Sequence, residues 1–474
     1  EWYEFAVYGY LEPYLESCFF RGSAIAAWLG FTVTFLARPL GGMLLGRVGD
    51  VLGRRAAVNI SIVGMLIGTC GQGLLPTYAS GNDTLGLVGI VLLVLLRFLQ
   101  GVSAAGEIST ISTYITEVGP HKSLGRAIAL ISITCNLGFL LAKAVIFTLN
   151  TFLGEGAMQA WGWRAPFVLA LLPGLIAVAG RRGLPESEAF LEQQRSAAAG
   201  GAAAEEEEKE DPKTATAGAS EPLVALGPPS MRHIIDAHGH NVLIAIFSSA
   251  SFAILTYGGF VYLQSYLKKA GLSADGRMLA GLCARGLMIL LAIPTGWLVD
   301  IKGVGFATFL GACLLAIGGL PLFAWLASSP TDLAVVVTVL GVCYAIIGAI
   351  GGSCYFYFMT ELFPTPVRSV AVGISYNVGL SLFGGLSPVV AEASLAISPN
   401  GPGFLLSAGG CVSAVTVAVG ICMQRRGLLR LAHVRPRPYF SSRDDLRLKL
   451  GESSGSSSSE GESDETDSSW EVVQ

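Results

Sequence analysis

This sequence predicts an all-α polytopic membrane protein of twelve transmembrane helices in two six-helix halves, and three observations carry that prediction. Apolar residues fill 52% of the 474 positions and charged residues only 14%, against about 25% charged in ordinary soluble domains. The apolar positions gather into runs of the roughly 20 residues that hydrocarbon spanning requires. Finally, two motifs return in the second half of the chain. Gly46-x3-Asp50-x2-Gly53 recurs as Gly296-x3-Asp300-x2-Gly303, an offset of 296 − 46 = 250, and Glu117-x2-Pro120 recurs as Glu361-x2-Pro364, an offset of 361 − 117 = 244. Two motifs at nearly one offset mark a duplicated unit.

Taken in order, the first helix runs from the chain start to about residue 15, and the next five cover about 23–46, 56–75, 86–117, 125–149 and 164–180. These make an N-terminal half over 1–180 with its first helix truncated. A linker over 181–240 contains an Ala/Glu/Pro-rich run, Ala197 to Pro229. The C-terminal half over 241–424 holds helices at about 241–267, 278–299, 304–327, 333–358, 368–395 and 402–424. The last stretch, 425–474, is an acidic, Ser-rich tail. Linker and tail bury too little apolar surface to offset chain entropy and are predicted to be disordered. Serines beside acids, as at Ser459-Glu460 and Ser463-Asp464-Glu465, make the tail a candidate for phosphorylation or simply a solubilising extension.

Lys/Arg bias in short loops sets the orientation. Arg47, Arg54, Arg55, Lys122, Arg126, Arg181, Arg182, Lys302, Arg368, Arg425 and Arg426 fall on one side, which is therefore expected to be cytoplasmic, with both termini and the central linker. Lys268, Lys269 and Arg277 are the clearest exceptions on the other side. The net charge of −4 gives no reason to expect a nucleic-acid partner. Nine cysteines lie mostly in apolar runs without ligand spacing, so neither a metal site nor a disulfide framework is expected. His233, His238 and His240 sit in the linker. With no nucleophile–base constellation or phosphate-binding loop, an enzyme is not expected, nor a cofactor.

The segment Arg38-Pro-Leu-Gly-Gly, followed by Gly46-x3-Asp50-x2-Gly53-Arg54-Arg55, resembles the loop between helices 2 and 3 of the major facilitator superfamily, and specifically its metabolite:H+ symporter family. The opening Glu1-Trp2-Tyr3-Glu4-Phe5 resembles the middle of that family's first helix, which implies that the natural N-terminus lies upstream. Glu361-Leu-Phe-Pro364-Thr-Pro366-Val-Arg368, Tyr376-Asn377, Phe383-Gly384-Gly385 and Pro388 resemble the family's loop between helices 10 and 11 and the helix after it. The resemblance covers residues 1 to about 425. It implies the major facilitator fold and a secondary carrier working by alternating access, in which Gly46, Asp50, Gly53, Arg54, Arg55, Asp300, Glu361 and Arg368 gate the cavity. Val304 and Gly305 replace the basic pair in the second copy of the hinge, so that brace is expected to be the weaker one. Asp50 is expected near the positive N-terminal end of helix 11.

Helix 4 places Arg97, Gln100 and Glu107 within an arc of about 80°, and ionisable groups at mid-membrane usually face a hydrated cavity. The helix-4 arginine of the superfamily is tied to proton coupling, so Arg97, Glu107 and Glu4 are the proton-coupling candidates. Structural Arg–Glu pairing is the competing reading. Tyr257 and Gln264, seven residues apart on one face of helix 7, are substrate candidates with Tyr8, Gln100, Lys143, Arg285, Tyr376 and Asn377. Interface anchoring by Tyr257, Tyr262 and Tyr266, and snorkelling of Lys143 to the headgroups, compete with that role. Counting Arg97, Lys143 and Arg285 against Glu4 and Glu107 leaves about one positive charge. The expected activity is therefore proton symport of a small carboxylate-bearing metabolite. A proline/betaine-type osmolyte:H+ symporter, an uncoupled facilitator and a solute-sensing membrane protein stand as alternatives. The expected partners are the solute, protons and the lipid bilayer, with the carrier monomeric and in the plasma membrane.

Overall fold

The computed structural model describes residues 1–52, 54–78, 81–119, 123–181 and 231–425, so the predicted disorder of linker and tail lies outside it. Among the described residues all regular structure is helical. Twelve helices follow: α1 (Trp2–Phe19), α2 (Ala24–Leu52), α3 (Arg54–Gln72), α4 (Asp83–Thr116), α5 (Leu124–Ala160), α6 (Gly162–Gly180), α7 (Met231–Lys269), α8 (Ala274–Lys302), α9 (Val304–Ser328), α10 (Leu333–Glu361), α11 (Val367–Leu395) and α12 (Gly401–Arg425). Ten are long and apolar enough to cross a membrane, and α3 contributes a shorter apolar stretch, Ala56–Gln72. The 18-residue α1 completes the set. It carries three glutamates, Glu4, Glu12 and Glu16, of which the first two are buried.

Side-chain caps start several helices. Asn82 accepts from the amides of Thr84 and Leu85, Ser273 from Gly276 and Asp332 from Ala334, which satisfies amides that a helix start leaves open. Between α8 and α9 the chain turns on Gly303 at φ 88°, a left-handed conformation that favours glycine. Small residues set the closest approaches: a methyl group added to Gly101 on α4 would collide with the carbonyl of Thr34 on α2. The two halves meet where α5 packs along α8, α2 along α11, α1 along α7, and α4 and α5 against α10.

Four features depart from the expected helices. The second helix runs to Leu52 rather than ending near residue 46, so the turn reduces to its join with α3. The seventh begins at Met231, inside the expected linker, and bends at His238. The fourth breaks at Ala105–Gly106, where non-glycine packing gives way to an open glycine, and Glu107 starts a new segment. Finally, Leu255–Val261, Val337–Cys343 and Leu380–Gly385 are π-helical, and such turns shift side-chain register by one residue.

Gly101→Val is expected to push α2 from α4 at a cost of about 1–3 kcal/mol and to lower the thermal midpoint in detergent. Gly106→Ala, with nothing within 4 Å of the added carbon, should leave the midpoint unchanged. Equal midpoints for the two variants would show that the α2–α4 contact is not that tight.

Candidate functional site

Within the first half, a line of hydrogen bonds joins three helices. Thr69 on α3 donates to Glu4 Oε2 on α1 at 2.9 Å, and Gln100 on α4 donates Nε2 to Thr69 Oγ1 at 2.9 Å. Arg97 Nη1 in turn donates to Gln100 Oε1 at 2.8 Å. Arg97 is fully buried. Its remaining donors reach carbonyls of α2, Gly30 at 3.4 Å and Phe31 at 3.0 Å, and its guanidinium lies 4.2 Å from the Tyr8 ring centroid. Tyr8 donates its own hydroxyl to Ala27 O at 2.9 Å, so it supports this group from below. The buried acid that the line reaches is Glu4. Glu107, expected on the same helical face, lies beyond the break in α4.

Between the halves stands a cluster of aromatic rings. Tyr257 on α7 lies 4.8 Å from Phe35 and 5.8 Å from Phe31, both on α2, and 6.5 Å from Phe139 on α5. Beside it, Arg285 on α8 stacks 4.1 Å from Phe139 and 4.7 Å from Phe260. Arg285 donates Nη1 to Asn136 Oδ1 at 2.9 Å across the halves, while its Nη2 has no hydrogen-bond partner among the described residues. Arg38 forms an ion pair with Glu1 at 2.9 Å, with both side chains buried, and faces the rings of Phe5, Phe35 and Tyr376. Lys143 on α5 donates to Gln264 on α7 at 2.5 Å, so it turns inward instead of snorkelling. Both line a cavity of about 70 Å³ with Tyr10, Tyr14, Asn150 and Arg277.

Tyr257 and Gln264 do not share a face as expected: one enters the ring cluster and the other the cavity, because the π turn over Leu255–Val261 lies between them. Tyr8 and Gln100, expected at the substrate, belong instead to the Arg97 group. Tyr376 faces Arg38. Asn377 donates to the carbonyl of Ala105 across the halves at 2.8 Å, leaving its Oδ1 without a partner among the described residues.

Contacts between the halves seal both ends. At one end Asp300 accepts from the amide of Gly125 at 2.7 Å and pairs with Arg126 at 3.0 Å, an anion at the open amides and positive dipole end of α5. Thr116 bonds Thr360 at 3.0 Å. Their separation, 360 − 116 = 244, equals the repeat offset, so the axis relating the halves passes between them. Arg368 holds the carbonyls of Thr360 and Phe363, each at 3.1 Å, and Glu361 is buried beside them. Gly53, the surroundings of Gly46 and the side chains of Asp50, Arg54 and Arg55 lie outside what the structure describes. At the far end Lys268 pairs with Glu155 at 2.6 Å, and Lys269 lies 3.1 Å from Glu392 and 3.5 Å from Glu16. Gly154, at φ 75°, turns the chain to present Glu155 there. Thr69, Asn136, the Glu1–Arg38 pair and Glu12 were not expected at the site; the signal of Glu12 is only an acid in an apolar helix.

A family model described as "Sugar (and other) transporter" matches residues 1–424. The chain belongs to this family of the major facilitator superfamily. The ectoine/proline transporter ProP of Corynebacterium glutamicum is 31% identical over 406 residues, covering 83% of this chain and 75% of that protein. The proline/betaine transporter of Escherichia coli K12 is 28% identical over 440 residues, covering 90% and 81%. Among solved structures, the proton:xylose symporter XylE bound to a bromo-deoxyglucose superposes with a TM-score of 0.67 at 18% identity, over 92% of this chain and 94% of that one. That likeness carries the fold alone. The protein is thus a major facilitator transporter and a multi-pass integral membrane protein.

If Asp300 holds its end of the transporter shut, Asp300→Ala should raise thiol labelling of Ser353→Cys, buried at the seam near Ser132, by about tenfold. That corresponds to the loss of a charge-assisted hydrogen bond worth roughly 1.5–3 kcal/mol. Unchanged labelling would place the seal elsewhere.

Proposed function

We propose that this transporter carries a small zwitterion of the proline/betaine class inward across the plasma membrane, in symport with protons, with both termini on the cytoplasmic side. One observation supports the substrate class above others: the Phe31, Phe35, Phe139 and Tyr257 rings stand beside the buried guanidinium of Arg285. Ring faces attract a substituted ammonium, by about 2 kcal/mol or more when desolvated. A guanidinium edge donates parallel hydrogen bonds to a carboxylate. The relatives named for proline, betaine and ectoine point the same way.

The expectation of a carboxylate-bearing organic anion gives way on the same grounds. Its charge count treated Arg97 and Lys143 as seeking acids, whereas Arg97 is held by carbonyls and Gln100, and Lys143 by Gln264. Arg38, absent from that count, is paired with Glu1. Among the described residues Arg285 Nη2 keeps an unpaired N–H beside the rings of Phe139 and Phe260, and Arg38, whose Nε and Nη1 also lack partners, is already neutralised by Glu1. That suits one carboxylate and one ammonium.

Glu4 is the proton carrier in this reading. Ionised, it is nearly buried with a threonine hydroxyl as its bonded partner, which is costly in hydrocarbon, and protonation relieves that cost. Thr69 and Gln100 pass the change to Arg97, which grips the backbone of α2, and α2 packs on α11 of the other half. The proton state of Glu4 thereby biases which end opens.

In proteoliposomes, betaine or proline uptake should exceed that of a dicarboxylate. Arg285→Gln should raise KM for both zwitterions by about 10- to 100-fold, the loss of a charged hydrogen bond. Tyr257→Leu should weaken betaine by about 30-fold. A wild type that prefers the dicarboxylate would overturn the substrate class.

Coupling is tested separately. Thr69→Val and Glu4→Gln should retain exchange of labelled substrate but lose accumulation under an imposed proton gradient. Accumulation by wild type without a gradient would instead favour another driving ion, and equilibration without accumulation a facilitator.

A further inference from the structure

Glu12 lies eight residues after Glu4 on α1, about 12 Å further along the axis. It is fully buried where α1 meets α7 at the Lys268 end. Its Oε2 accepts from Ser265 of α7 at 2.5 Å, and its Oε1 has no hydrogen-bond partner among the described residues. The charged groups facing it are Glu16 on α1, Lys269 on α7 and Glu392 on α11, with the phenol of Tyr262 nearby. Lys269 divides its ammonium between Glu392 at 3.1 Å and Glu16 at 3.5 Å. That trio already sums to one negative charge. An ionised Glu12 would add a second at a fully buried position.

We propose that Glu12 is a second proton-binding carboxyl of the transporter: it enters the closed seam neutral, bonded to Ser265, and ionises when α1 and α7 part and water reaches it. The proton comes from the solution at that end when the seam closes and returns to the same solution when it reopens. Glu12 therefore adds nothing to the number of protons carried per substrate. It makes closure of that end dependent on local pH, acid favouring the closed seam, by up to about tenfold per pH unit for one linked proton. The inference rests on the transporter assignment and not on the choice of substrate.

The test uses the full chain with its nine native cysteines replaced by alanine and Asn150→Cys added in the cavity between the halves. It is placed in proteoliposomes at equal pH inside and out, without substrate. Labelling rates are normalised at each pH to those of Thr331→Cys, an exposed site, and set against those of Glu12→Gln, which carries the same Asn150→Cys thiol and so shares most of its titration. As pH falls from about 8 toward the ordinary glutamate value of about 4.3, the normalised rate should drop by at least threefold. Glu12→Gln should label slowly at every pH, and Glu12→Asp should keep the slope. A wild type with no slope, or Glu12→Gln with the wild-type slope, overturns the proposal. So does Glu12→Gln that labels fast throughout, which would make the residue a packing contact. Failure of betaine uptake would leave all of these outcomes readable.

Discussion

Hydrocarbon offers a buried charge no water, and the ways in which this chain meets that constraint organise the rest of its structure. Four of the five cations buried among the described residues, Arg38, Arg97, Lys143 and Arg285, are each met differently. Arg38 has a carboxylate, Arg97 has carbonyls and an amide, Lys143 has an amide from the other half, and Arg285 has an amide and two rings. Those held within one half stay held when the halves part. Those satisfied across the seam break when the halves separate, so the same requirement that stabilises a closed seam also makes it a switch.

The division between rigid and switchable follows the helices. Glu4, Thr69, Gln100 and Arg97 all belong to the first half, so their bonds survive any rocking of one half on the other. Lys143–Gln264, Arg285–Asn136, Asp300–Gly125 and Glu12–Ser265 all cross. A substrate entering between the halves meets donors whose present partners lie on the opposite wall and can replace those partners. That is the structural basis for treating Arg285 as a ligand and Arg97 as part of a relay.

Much of the fold was legible because it depends on composition and repetition. Run lengths gave twelve helices, and the offset of 244 anticipated that Thr116 and Thr360 occupy matching places. Asp300 was legible as a hinge acid, although its real target, the amide end of α5, needed the three-dimensional packing. The site was less legible. Thr69 is one hydroxyl among many in apolar helices, and its role depends on which of them α1 and α4 happen to face. The π turns insert a register shift that an ideal period of 3.6 residues cannot anticipate, which is why Tyr257 and Gln264 were placed on one face. Arg38 was read within a loop motif, yet its side chain is buried under Phe5 and Phe35.

The two seals differ in kind, and the difference has a direction. At the Asp300 end the described contacts are buried hydroxyls and a carboxylate only 11% exposed against the Gly125 amide at a helix start, with one ion pair to Arg126, itself 46% exposed. At the Lys268 end two lysines bridge acids, with Glu155 59% exposed and Lys269 37%. Ion pairs that open to water contribute little individually, about 0–1 kcal/mol, and salt screens them within roughly 10 Å at 0.1 M. Ions therefore loosen the Lys268 end more than the Asp300 end, while Glu12, buried beneath those pairs, is shielded from salt but answers to protons. Among the described residues, one end thus leans more on dipole and packing, and the other more on exposed ion pairs.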